Sequence, residues 1–101
     1  MHGQLFMFAG EAIANKVAGH RAGGRHALMI FSADRSLTVA QSQAIKFAQA
    51  SGWLYVELRQ CQEIGDDTDL IDDDTLRQAA EIAVERGRCI VVYADEIPLN
   101  G

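Results

Sequence analysis

The chain is poor in cysteine, proline, aromatic side chains and long hydrophobic runs: two Cys, one Pro and seven aromatics stand among 101 residues. Each scarcity excludes a class of protein. Cys61 and Cys89 have neither the density of a secreted disulfide scaffold nor the spacing of a zinc site, so they read as buried free thiols. The longest apolar runs, Ala27–Phe31 and Cys89–Ala94, span five and six residues, far short of the about 20 that a membrane helix needs. The opening Met1-His2-Gly3-Gln4 carries no basic segment, and Leu5–Ala9 is shorter than the ~7 to 15 apolar residues of a secretory signal. A cytoplasmic location is expected. Basic residues are also in deficit, 9 against 14 acidic ones, for a net charge of −5. No global field draws the chain to phosphate backbones or anionic lipid, so neither nucleic acid nor membrane is expected as a partner.

Familiar catalytic signatures are missing as well. There is no Gly-x-Ser-x-Gly elbow, no Cys-x-x-Cys pair and no His-Glu-x-x-His helix, which leaves nucleophilic, redox and zinc chemistry without local support. No cofactor is implied.

What is present is an ordinary globular composition, 49% apolar and 23% charged, with enough chain for one core. Residues 1–101 therefore read as a single α/β domain. Residues 26–34, His-Ala-Leu-Met-Ile-Phe-Ser-Ala-Asp, form an apolar run flanked by a Gly-Gly turn and by Asp34-Arg35-Ser36, the pattern of a strand buried on both faces. Thr38-Val39-Ala40-Gln41 has the form of a capping box and predicts a helix start. Ala40, Ala44, Phe47 and Ala48 then give that helix one apolar stripe, and Gly52 gives it a stop.

From Trp53 to Ile64 the residues turn β-rich, with Leu54, Val56 and Leu58 expected on one side and Trp53, Tyr55 and Glu57 on the other. The aspartate-rich stretch 65–74 predicts a loop. Thr75-Leu76-Arg77-Gln78 repeats the capping box, and a second helix follows with Leu76, Ala79, Ala80 and Ala83 facing inward. Arg88–Asp95 reads as another strand buried on both faces, and residues 97–101 as an exposed tail. Upstream, Ile13, Ala14 and Val17 at helical spacing predict a helix from about Gly10 to Gly19, with a short strand at Gln4–Phe8 as a further option.

Strands alternating with helices predict a sheet of three or four strands, mainly parallel or mixed, packed with two or three helices. The alternative is a two-layer α+β sandwich in which strand 53–64 pairs antiparallel with a neighbour and leaves one sheet face wet.

Two apolar strands ending in Ala-Asp make the sharpest chemical candidate. If they were parallel neighbours, Asp34 and Asp95 would share the carboxyl edge where ligands gather in open parallel sheets. There they would serve as a catalytic acid and base or hold a divalent cation. The plainer reading has Asp34 starting a turn and Asp95 marking where the chain leaves the core. The acidic loop 66–74 lacks the glycine and closing glutamate of an EF-hand. The segment Gly19–His26 resembles an anion-binding turn without being a P-loop, and His20 and His26 read as surface histidines. Trp53 and Tyr55 suggest an exposed aromatic patch. The leading expectation is a non-enzymatic interaction or regulatory module, with a protein partner or a homo-oligomer formed through strand 53–64; the alternative is a carboxylate-dependent enzyme or divalent-metal-binding protein using Asp34 and Asp95.

Overall fold

Two-residue alternation governs the first segment, overriding the helical spacing of Ile13, Ala14 and Val17. In a computed structural model describing residues 4–65, 68 and 71–98, strand β1 runs Gln4–Ala14, and the helix expected over 10–19 does not form. Phe6, Phe8, Ala12 and Ala14 face one core, while Leu5 and Met7 face another. A strand turns alternate side chains to opposite faces, and that arrangement buries more of this segment than a single helical stripe would.

Strand β2 (Arg25–Asp34) folds back on β1 in a long hairpin, then come helix α1 (Leu37–Ala50), strand β3 (Trp53–Glu63), helix α2 (Asp74–Arg86) and strand β4 (Arg88–Glu96). The sheet order is β3-β1-β2-β4 and every pairing is antiparallel. This corrects the expectation of a mainly parallel or mixed sheet. The parallel argument takes each helix as a crossover between adjacent strands. Here α1 does join strands that run the same way, β2 and β3, but the hairpin partner β1 lies between them. As expected, segments 27–33 and 89–94 do lie in one sheet, as antiparallel neighbours.

The fold is α+β, and strand 53–64 pairs antiparallel with a neighbour, β1, as the alternative expects; the helices lie on opposite faces, however, so the layering is not that of a two-layer sandwich. Helix α1 brings Ala40, Ala44 and Ala48 against Phe6, Phe8, Leu28, Ile30 and Trp53, while α2 brings Ala79, Ala80 and Ala83 against Leu5 and Phe31. Alanine lets each helix approach closely, and the bulk comes from the sheet, where burying a large apolar side chain contributes about 1.5–3 kcal/mol.

The register explains how α2 lies. Glu63, Phe6, Ser32 and Arg88 form one rung across all four strands. The end of β3 and the start of β4 are therefore at the same end of the sheet, about 14 Å apart at the usual strand spacing. A helix of 13 residues, about 20 Å long, crosses that width and covers only this end. The other end of the face, with Ala9, Glu11, Ile13 and Ala27, stays partly open.

Capping differs from the expected threonine boxes. Ser36, in extended backbone, accepts from the Val39 N–H at 3.3 Å, and Asp73 accepts from the Leu76 N–H at 2.9 Å. Each helix thus starts one residue earlier than its threonine. Gly87, at φ 105°, ends α2 and turns the chain into β4.

Candidate functional site

The two candidate aspartates are not brought together. Because β2 and β4 are antiparallel, Asp34 lies beside the start of β4 and Asp95 beside the start of β2. The eight positions separating Asp34 from His26, which pairs with Glu96, correspond to about 27 Å along the strand. Asp34 is enclosed by its neighbours: Ser32 Oγ donates to Oδ2 at 2.5 Å, and Arg88 Nη2 donates to Oδ1 at 2.7 Å. Both carboxylate oxygens are occupied, and the side chain is 10% exposed. Chemically this is a charge-neutral clasp between the end of β2 and the start of β4. Asp95 is exposed.

The other polar candidates are also held by local partners. Arg21, in the glycine-rich turn 19–26, forms a two-point ion pair with Glu96, at 2.6 and 3.1 Å, which ties the hairpin loop to the end of β4. The hydrogen bond to Arg21 holds the Glu96 carboxyl below its usual range, against a smaller opposing effect of burial. His26 corrects the reading of two surface histidines: it is 1% exposed and packs edge-on to Trp53 and the half-buried His20. In the acidic loop, Asp73 caps α2 and Asp74 pairs with Arg77, while residues 66, 67, 69 and 70 lie outside the described residues. Among the described residues, no group of three His, Cys, Asp or Glu side chains is arranged to hold a metal ion. Cys61 and Cys89 are free thiols. Neither is buried as expected: Cys61 is exposed and Cys89 half-buried. Partial desolvation still pushes both up from the ordinary thiol value, with Glu63 adding to the effect at Cys61, the opposite of the shift that activates a cysteine.

The sheet edges differ from each other. Strand β3 is an edge, as its proposed pairing role requires, but it is interrupted twice. The register with β1 slips between Glu11 and Ile13, where Tyr55 adopts φ 53°, and again between Ala9 and Gly10. The first extra residue also reverses the expected facing of Trp53, which joins Val56 and Leu58 in the α1 core at 1% exposure. Only Tyr55 remains exposed, so the aromatic patch does not form. Leu54 is also exposed, at the start of the strand, and from Glu57 onward most of its side chains are charged or amide: Glu57, Arg59, Gln60, Gln62 and Glu63. Bulges and charges are the usual means by which a sheet edge is kept from pairing.

Strand β4 has none of these devices along Cys89-Ile90-Val91-Val92. Its ladder with β2 is regular from Arg88 to Val92 and is broken only beyond, between His26 and Leu28. Beside this stretch runs a groove of about 440 Å³ lined by Phe47 of α1, Ile82 and Arg86 of α2, and Arg88, Cys89 and Ile90 of the strand. The sequence reads this strand as buried on both faces; Arg88–Val92 are instead half-buried and Tyr93–Glu96 exposed, the strand lying at the edge of the sheet with no strand among the described residues on its outer side. The one signal was the uncharged run itself, which does not distinguish a central strand from an unprotected edge.

Comparison with protein-family models, curated proteins and solved structures found no match to the chain.

Proposed function

We propose that the protein is a small interaction module that recognises its partner by strand addition to the β4 edge. The observation that carries this reading is the contrast between the edges: β3 is blunted by two bulges and a row of polar side chains, while β4 offers a regular apolar stretch in a groove lined by Phe47 and Ile82. Main-chain hydrogen bonds supply the affinity in such pairing, and alternate side chains supply the selectivity. A reducing, cytoplasmic setting goes with this reading, since both cysteines are free and Cys89 lies on the pairing strand itself. Joint carboxylate chemistry at Asp34 and Asp95 is not part of it, because the antiparallel sheet separates them.

The test is an NMR titration of the full chain with a synthetic peptide of the sequence Arg88–Glu96. Strand addition shifts the amides of Arg88, Ile90 and Val92 and slows their exchange with solvent, leaving β3 unchanged. Shifts confined to β3 or to the helices, or none at all, would refute the reading.

A further inference from the structure

We infer that the partner at this edge is a second copy of the same chain, paired β4 to β4 in antiparallel register about a two-fold axis at Ile90. The inference rests on the strand-addition reading and adds the occupant and the register.

The direction of the backbone groups follows from the β2 ladder. The Ala33 N–H donates to the Gly87 carbonyl at 2.8 Å, and Phe31 and Met29 face Cys89 and Val91 in the same register. Residues of an antiparallel strand turn their N–H and C=O alternately toward one neighbour and the other. Gly87 directs its carbonyl to β2, its N–H being held by the Ala83 carbonyl; Cys89 and Val91 therefore direct both groups to β2, and Arg88, Ile90 and Val92 direct theirs outward. Beyond Val92 the register with β2 shifts, so that Glu96 faces His26, and the Tyr93 carbonyl, still on the β2 side, accepts from His26 Nδ1. The free edge is thus three outward residues, symmetric about Ile90.

An antiparallel copy matches that set. Ile90 pairs with Ile90, and Arg88 with Val92 in both directions, so every outward N–H and C=O finds a partner. A shift of two residues either way leaves some unpaired. This is the self-complementary surface that a two-fold dimer requires.

Side chains and charge agree with the same register. Ile90 and Val92 belong to the α1 side of the sheet, and Cys89 and Val91 to the α2 side. The second copy's Ile90 and Val92 come beside Phe47, and its Val91 beside Ile82, which is 43% exposed in the single chain. Outside the Arg88–Asp34 and Arg21–Glu96 pairs, the strand is entered through Arg86 and left through Asp95. Antiparallel pairing sets the basic end of each copy against the acidic end of the other, whereas parallel pairing would set like charges together.

Sedimentation of the full chain from roughly 5 to 500 µM, a range that brackets micromolar dissociation constants, is expected to show a monomer–dimer equilibrium that stops at the dimer. In a sample mixed from isotopically labelled and unlabelled chains, filtered NOE spectra are expected to connect the Cys89 Hα of one copy to the Val91 Hα of the other. The variant Ile90→Pro removes an outward N–H together with the isoleucine side chain that packs against the α1 core. It is expected to weaken dimerisation at least about tenfold, and the unaltered protein's NOE pattern stands independently if the variant does not fold. A strict monomer, growth beyond the dimer, or contacts through β3 would overturn the inference. Peptide-induced shifts at Arg88, Ile90 and Val92 in a protein that stays monomeric would overturn self-pairing alone and leave strand addition standing; absence of both results would remove both.

Discussion

The Nδ1 nitrogen of His26 donates to the carbonyl oxygen of Tyr93 at 2.8 Å, joining the start of β2 to the bulge that ends the regular part of β4. The proton is assigned to Nδ1 because a carbonyl only accepts. His26 is buried, and its Nε2 has no hydrogen-bond partner among the described residues, so the ring acts here through one polar contact and its packing on Trp53. Replacing His26 by Leu leaves the Tyr93 carbonyl without its donor. The expected cost is about 1–3 kcal/mol, read from the urea midpoint, with faster amide exchange concentrated at Tyr93–Glu96. A uniform loss across the sheet would mean that packing on Trp53 dominates.

Gly10 is where β3 comes closest to β1. A Cβ there would stand 2.2 Å from the Glu57 carbonyl oxygen, at the point where the second bulge interrupts the register. The obstacle is backbone, so it has no rotamer through which to yield. Gly10→Ala is expected to lower stability by at least about 1–3 kcal/mol, the range for an overpacked site, and to disturb amides on both sides of Leu58. Gly19, with φ 83° but nothing within 4 Å of a Cβ, is the control: alanine there meets only the backbone penalty of about 1 kcal/mol.

Local cues identified β2, α1, β3, α2 and β4 closely, because each is set off by turn-forming residues and has a residue pattern that fits one type of element. The first segment was misread because Ile13, Ala14 and Val17 fit a helix while Phe6, Phe8, Ala12 and Ala14 fit a strand, and only pairing with β2 decides between them. Strand order was not legible for a different reason. Alanine stripes pack equally well over parallel or antiparallel strands, so nothing in α1 or α2 reports that β1 inserts between β2 and β3. The juxtaposition of the candidate aspartates depended on the topology: Ala33-Asp34 and Ala94-Asp95 are alike in sequence but lie at opposite ends of the sheet. Trp53 is the subtlest case, since a single extra residue at Tyr55 moved it from the expected outer side into the core.

The Arg21–Glu96 pair gives the hairpin loop a pH dependence of known sign. Glu96 titrates below its ordinary value chiefly because it accepts hydrogen bonds from Arg21, with the charges of Arg21, His26 and His20 acting in the same direction. A carboxyl whose folded value is depressed favours the folded state above its unfolded value and loses that contribution as pH falls through the folded one. The anchoring is therefore complete at neutral pH and is lost only under acid conditions, below the usual carboxylate range. Both side chains are open to solvent, so the effect is local. Amide exchange at His20–Gly24 is expected to quicken on acidification relative to intrinsic rates, and Glu96→Gln should show the quickened behaviour already at neutral pH. An unchanged loop in that variant would assign the anchoring to the Ile97 N–H bond to the Arg25 carbonyl.

Asp34 separates a structural role from a chemical one. A carboxylate kept for catalysis or for a ligand is a cost to the fold, and removing it leaves stability unchanged or raises it. A carboxylate that clasps Ser32 and Arg88 does the reverse. Asp34→Ala strips the acceptor from both donors, one of them charged, and leaves Arg88 largely enclosed without its counter-ion. The expected loss is about 1.5–3 kcal/mol, the range for a hydrogen bond to a charged group. Asp34→Asn keeps an acceptor for Ser32 and should lose less, whereas Asp95→Ala, at an exposed position, should change stability by no more than about 0.5 kcal/mol. Urea unfolding of the three variants checks the ordering, and a stability gain in Asp34→Ala would return Asp34 to the list of chemical candidates. The clasp also bears on the β4 edge, because Arg88 begins the outward-facing set: freeing its guanidinium while its backbone stays in register should leave dimerisation intact in Asp34→Asn.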